Sequence, residues 1–206
     1  IRSRAKAEER LAFVAIHWDS ERVLFHESAM TATQLGKRRI TRVLEAIREA
    51  APQTKLTVIG HSLGARVMIS ALHHSAARYA DAALLVEGAA DLDWFHDDMA
   101  GAGERVARVA NVYSIHDGVL ENAYANVMGS TALGRVGAER SPGEPFVRFE
   151  LQASFAPAAF QAALGATESL GAGGARLVNV DASGLITSHT DIDHAALYDL
   201  AWAISR

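Results

Sequence analysis

Gly60-His61-Ser62-Leu63-Gly64 is the segment of this chain best suited to covalent chemistry, and it is the single occurrence of the pattern G-x-S-x-G. Chance would supply that pattern roughly 0.08 times in a chain of this composition, so the motif alone is only suggestive. Its flanks add the weight. A β-branched apolar run, KLTVI, leads into it and an amphipathic stretch, LGARVMISAL, leads out. This is the strand–turn–helix setting in which a serine hydroxyl is presented on a strained turn. The two glycines are read as the small residues that let the backbone fold so tightly. A helix starting at Leu63 would aim its amide N–H groups and positive dipole end at the serine oxygen. The Leu63 N–H is then placed to donate to a tetrahedral oxyanion. The plainer alternative is a Gly-flanked turn whose serine only caps the helix.

Elements able to hold such a turn alternate along the chain. Five apolar runs stand out: Leu11–Trp18, Lys55–Gly60, Ala82–Gly88, Val106–Ile115 and Ala175–Val180. Continuous apolar runs of this length suit parallel strands buried on both faces. Between them lie helical patterns. Residues 29–50 carry a stripe of Leu35, Ile40, Val43, Leu44 and Ile47, ended by Pro52. Leu63–Tyr79 reads as a helix, and so does Asp193–Ser205, with Ala196, Leu197, Leu200 and Ala201 on one face. The rhythm predicts an α/β fold with a doubly wound, mostly parallel sheet and helices on both faces, in one domain over residues 1–206. Residues 129–174, rich in Gly and Ala and broken by Pro142, Pro145 and Pro157, read as an excursion over the sheet edge or a cap.

GHSLG is the form common in lipases and esterases, and the chain resembles a poorly characterised bacterial branch of the α/β-hydrolase superfamily. The echoes are Ile16-His17-Trp18-Asp19-Ser20, the GHSLG turn, Ala89-Ala90-Asp91-Leu92-Asp93 with Phe95, Tyr113-Ser114-Ile115-His116-Asp117, and Ser188-His189-Thr190. The resemblance implies the order serine, acid, histidine, because a hydroxyl needs a base to take its proton and a carboxylate to orient that base. Asp117 closely follows the run Val106–Ile115 and suits the acid; its plainer reading is the first residue of an Asp-Gly turn. Asp91 and Asp93 are the alternative acids, although such a pair more often caps a helix.

Nine histidines are present. His17, His26 and His61 precede the serine, and His61 would pack beneath the turn. His73 and His74 fall on the helix after it, while His96 and His116 precede or adjoin the acid. His189 and His194 follow the last strand. The resemblance matches its histidine to Ser188-His189-Thr190, and His189 lies in a loop-like stretch. His194, the alternative base, falls near the start of the final helix, with Asp191 or Asp193 as cap. Metal binding by His189, Asp191, Asp193 and His194 is conceivable, but nothing requires it.

Composition narrows the chemistry further. The chain has 206 residues, a net charge of −4 and no cysteine. A thiol nucleophile, disulfides and Cys-ligated metals are thereby excluded. The charge gives no electrostatic reason to expect nucleic acid, and no apolar run is long enough to span a bilayer. Ile1–Arg10 is charged and helix-like rather than a signal peptide, which favours a cytoplasmic location. Five strands are fewer than the fold's usual eight, and no early loop offers a second oxyanion donor. The expectation is therefore that the first strands are absent and that Leu11–Trp18 lies next to the elbow strand. The reading reached is a serine hydrolase cleaving a small-molecule or lipid ester through an acyl-enzyme. Ser62 attacks, His189 moves the proton, Asp117 orients it, Leu63 supports the oxyanion, and no cofactor or metal is needed. Acyltransfer or thioester cleavage would use the same groups. A non-catalytic binding module of the same fold is the rival.

Overall fold

In the computed structural model, which describes residues 12–18, 25–92, 101–141, 143–169 and 174–206, four of the five apolar runs lie side by side as parallel strands. The strands are β1 (Thr57–His61), β2 (Ala80–Val86), β3 (Val106–Tyr113), β4 (Glu139–Ser141), β5 (Glu144–Pro145), β6 (Arg148–Glu150) and β7 (Arg176–Asp181). The main sheet has the order β1-β2-β3-β7-β6 and is parallel throughout; β4 and β5 form a small antiparallel pair apart from it. Its register runs Ile59–Leu84–Ala110–Val178 across four strands, so the strand ends at Ser62, Glu87 and Ser114 line up along one rim.

Helices cover both faces, as a continuous apolar strand demands. On one face, Val58, Leu85, Val109 and Leu177 pack with α1 (Phe25–Leu35), α2 (Thr41–Ala50) and α3 (Leu63–His73) through Ala32, Leu44, Val67 and Ile69, joined by Ile40 from between α1 and α2. On the other, Leu84, Val112, Val178 and Val180 pack with α6 (Pro157–Ala166) and α7 (Ala195–Ile204) through Phe160, Leu164, Leu197 and Leu200. Two short helices, α4 (Ala125–Met128) and α5 (Leu133–Val136), lie between β3 and β4. A buried amide pair holds the chain after α5 to the sheet. Asn111 Nδ2 donates to Asn179 Oδ1 at 3.1 Å, while Asn179 exchanges two bonds with the Ala138 backbone at 2.7 and 2.8 Å. None of the described helices is long and apolar enough to cross a membrane.

Several sequence expectations are corrected. Residues 12–18, the described part of the expected strand Leu11–Trp18, form no sheet ladder. Phe13 and Val14 are more than half exposed, and only Ile16 and Trp18 pack against the core, so the run lies across the elbow by one face. Residues 129–174 are more than an excursion, because they contribute β6, the outer strand of the main sheet. The helix expected over residues 29–50 starts earlier, at Phe25, and passes through a π-helical turn at Gly36–Ile40 before α2. Gly36, which opens that turn, lets the chain press against α3: a Cβ there would stand 2.3 Å from the Val67 carbonyl oxygen. The helix expected over Leu63–Tyr79 ends at His73. The N-cap position of the final helix is His194, which makes no side-chain capping bond, rather than Asp191 or Asp193.

Candidate active site

β1 delivers the chain to Ser62, which opens α3 with φ 54° and ψ −124°. A left-handed φ costs a non-glycine residue on the order of 1–3 kcal/mol, and the surroundings must hold it. They do so from both sides. The Ser62 N–H donates to the Val86 carbonyl at 3.0 Å, and the Ser62 carbonyl accepts the Ala65 and Ala89 amides, each at 3.0 Å. The two glycines differ in role. A Cβ on Gly60 would stand 2.5 Å from the Gly64 carbonyl oxygen, whereas one on Gly64 would meet nothing within 4 Å. Only Gly60 is required by the close approach. Leu63 is the first residue of α3, so its N–H has no partner within the helix.

Asp117 lies in the turn after β3 and is fully buried. Its Oδ1 accepts the Val119 and Leu120 amides at 3.1 and 2.9 Å, which turns Oδ2 toward His189. His189 stands in the loop between β7 and α7. That loop is pinned by Ser114 Oγ donating to the Ile186 carbonyl at 2.7 Å and by Asp191 accepting both Thr187 donors. The His189 Nδ1 lies 2.6 Å from Asp117 Oδ2, and its Nε2 lies 2.8 Å from Ser62 Oγ. Three side chains from three separate segments thus make one continuous line. With Asp117 charged, Nδ1 carries the proton and Nε2 is free to accept the serine hydroxyl. Burial pushes the Asp117 carboxyl upward, but the bonds from His189 and the Leu120 amide outweigh it and hold the group below its ordinary value.

The remaining candidates sit elsewhere. Asp91 accepts from Arg66 at 2.8 Å, from Tyr124 at 2.7 Å and from Ser130, which commits it to a brace between α3 and the segment around α4. Asp93 lies outside the described residues. His194 Nε2 faces Asp191 Oδ1 at 3.1 Å. Asp193 accepts the Tyr198 hydroxyl. The four residues considered for a metal are therefore split among separate bonds.

His61, by contrast, comes to the site. Its Nε2 donates to the His189 carbonyl at 2.9 Å, and the two rings lie 4.9 Å apart. Glu87, at the end of β2, was not singled out by its sequence, although an acid closing the apolar run AALLVEG was the available signal. It is fully buried, has φ 44°, and lies 3.5 Å from His61 Nε2. His61, Glu87 and His189 bring ligand-type atoms within 4.8 Å of one another. Both His189 nitrogens and the His61 Nε2 are already bonded, so the cluster is a hydrogen-bonded one. A cleft of about 750 Å³ opens over Ser62, walled by Ile16, Trp18, Phe25, Ile59, Leu63 and Met68 among others.

The model of the family described as "Alpha/beta hydrolase of unknown function (DUF900)" matches residues 1–155, and the chain belongs to that family. The match covers Ser62 and Asp117 and ends before His189. No curated protein and no solved structure matches the chain.

Proposed function

We propose, with membership of this α/β-hydrolase family as the premise, that the chain is a serine hydrolase cleaving carboxylic esters through an acyl-enzyme. The observation that carries the reading is the unbroken line from Asp117 through His189 to Ser62, at 2.6 and 2.8 Å. Ser62 Oγ attacks the ester carbonyl while His189 Nε2 takes its proton, and buried Asp117 stabilises the imidazolium. The oxyanion forms beside the Leu63 N–H at the positive end of α3. His189 then protonates the departing alkoxide, and water repeats the sequence to release the acid.

The cleft favours an apolar acyl chain, because its walls near the serine are Trp18, Phe25, Leu63 and Met68. A series of p-nitrophenyl esters of increasing chain length tests this. Medium chains should be hydrolysed faster than acetate, and Ser62→Ala should abolish turnover. Equal hydrolysis by Ser62→Ala would refute the assignment.

A further inference from the structure

Two non-glycine residues among those described adopt a left-handed φ: Ser62 and Glu87. Strain of this kind persists only where the surroundings impose it, and it gathers at functional sites. Glu87 is held by α5, since a Cβ on Gly134 would stand 2.2 Å from both the Glu87 carbonyl carbon and the Gly88 nitrogen. Its amide donates to the Val112 carbonyl at 2.9 Å. The side chain faces His61, Asp117 and His189.

There it meets an unusual set of neighbours. The carboxyl has no exposure, and neither oxygen receives a hydrogen bond from a described residue. His61 Nε2 stands 3.5 Å away and is already given to the His189 carbonyl at 2.9 Å. The Asp117 carboxyl also faces it, and it too is an acceptor. Two buried carboxylates that face one another cannot both ionise, so a bond between them requires one proton. Asp117 already accepts from Val119, Leu120 and His189, which marks it as the charged partner.

Resting on the hydrolase reading above, we propose that Glu87 is a positioning residue that keeps its proton and donates it to Asp117. Asp117 then remains the single negative charge facing His189. The bond fills the fourth acceptor site of a carboxylate that already receives three donors. It stops the Asp117 group from turning, and so holds the His189 ring square to Ser62. The groups facing Glu87 are His61 from the end of β1, Asp117 from the turn after β3, and His189 from the loop before α7. Burial acts in the same direction, raising the Glu87 carboxyl above its ordinary value.

The test combines infrared spectroscopy with the pH dependence of fluorophosphonate labelling. At neutral pH the wild-type protein should show the carbonyl band of a protonated buried carboxyl, and Glu87→Gln should lack it. Glu87→Gln keeps a donor and changes no charge, so its labelling rate should stay within about threefold and the acid limb of its pH profile should not move. Glu87→Met removes the donor and should slow labelling by about tenfold or more, through loss of alignment. An acid limb displaced to lower pH in Glu87→Gln would mean that a negative charge had been removed, and would overturn the proposal. So would Glu87→Met labelling at the wild-type rate. If Glu87→Met does not fold, the band and the Glu87→Gln profile decide. A wild-type chain that shows the band yet resists the probe overturns the hydrolase reading alone; one that is labelled but lacks the band overturns this proposal.

Discussion

Alanine at Gly60 should disable the turn that presents Ser62, while alanine at Gly64 in the same motif should not. The new Cβ at Gly60 would lie 2.5 Å from the Gly64 carbonyl oxygen and 2.6 Å from both the Gly64 carbonyl carbon and the Ala65 nitrogen. Ordinary contacts at carbon begin near about 3.5 Å, so the first turn of α3 must retreat by roughly 1 Å. All three obstacles are backbone atoms, and no side-chain rotation can relieve them. Overpacking of this kind costs about 1–3 kcal/mol, and the absence of a flexible neighbour points to the upper end. For a domain of this size, about 3 kcal/mol corresponds to a fall in Tm of roughly 6–12 °C. A displacement of about 1 Å at the nucleophile should also slow fluorophosphonate labelling about a hundredfold. Gly64→Ala places its methyl in open space at the cleft and favours the helix by up to about 1 kcal/mol. Thermal melting and labelling rates of the two variants, measured side by side, check the contrast. A Gly60→Ala protein that melts within about 2 °C of wild type and labels normally would refute it.

Three further outcomes follow from the same contacts. His189→Ala should reduce labelling of Ser62 by at least about a thousandfold, whereas His194→Ala, which removes a ring that faces Asp191, should change it little; the reverse ranking would hand the role to His194. Asp91→Ala should cost about 3 kcal/mol in denaturant unfolding, because buried Arg66 loses its carboxylate, yet labelling per folded molecule should persist. Stability should also vary with pH in two opposed ways. Asp91 and Asp117 lie below their ordinary value of 3.8 in the fold, so their contribution is full above that value and is lost as pH falls through their folded values. Glu87 lies above its ordinary 4.5, so its contribution is full below that value and is lost as pH rises through its folded value. Glu87→Gln has no proton to lose and should therefore gain on wild type as pH climbs above about 4.5, which unfolding curves across a pH series would show.

The parts of this fold legible in the sequence are those whose burial is decided locally. β2, β3 and β7 are covered on both faces, so each reads as an unbroken apolar run, and β1 reads the same way although it buries Val58 on one face and leaves Ile59 exposed on the other. β6 is three residues, Arg-Phe-Glu, at the sheet edge, with its two charged residues exposed. Its strand character comes from pairing with β7 and not from its composition. Residues 12–18 mislead in the opposite direction. They are apolar enough for a buried strand, but no described strand pairs with them, and Phe13 and Val14 stay in solvent. At the candidate site, Ser62 was marked by its motif and Asp117 by its place after a strand, while His189 was separated from His194 by its loop-like setting and by the resemblance at Ser188-His189-Thr190; the fold brings the three into one line. Glu87 could not be weighed the same way. Its burial depends on α5, more than forty residues later, whose Gly134 lets that helix close onto the Glu87 backbone.

The central claim is that Ser62 is the nucleophile, and its most direct test is the site of covalent labelling. After treatment with a fluorophosphonate, tryptic digestion should yield the peptide of residues 56–66, LTVIGHSLGAR, carrying one adduct on Ser62. Ser62→Ala should carry none, and His189→Ala should carry it only after prolonged exposure. An adduct on a different serine, or a folded wild-type protein that stays unlabelled under conditions that label known serine hydrolases, would contradict the account.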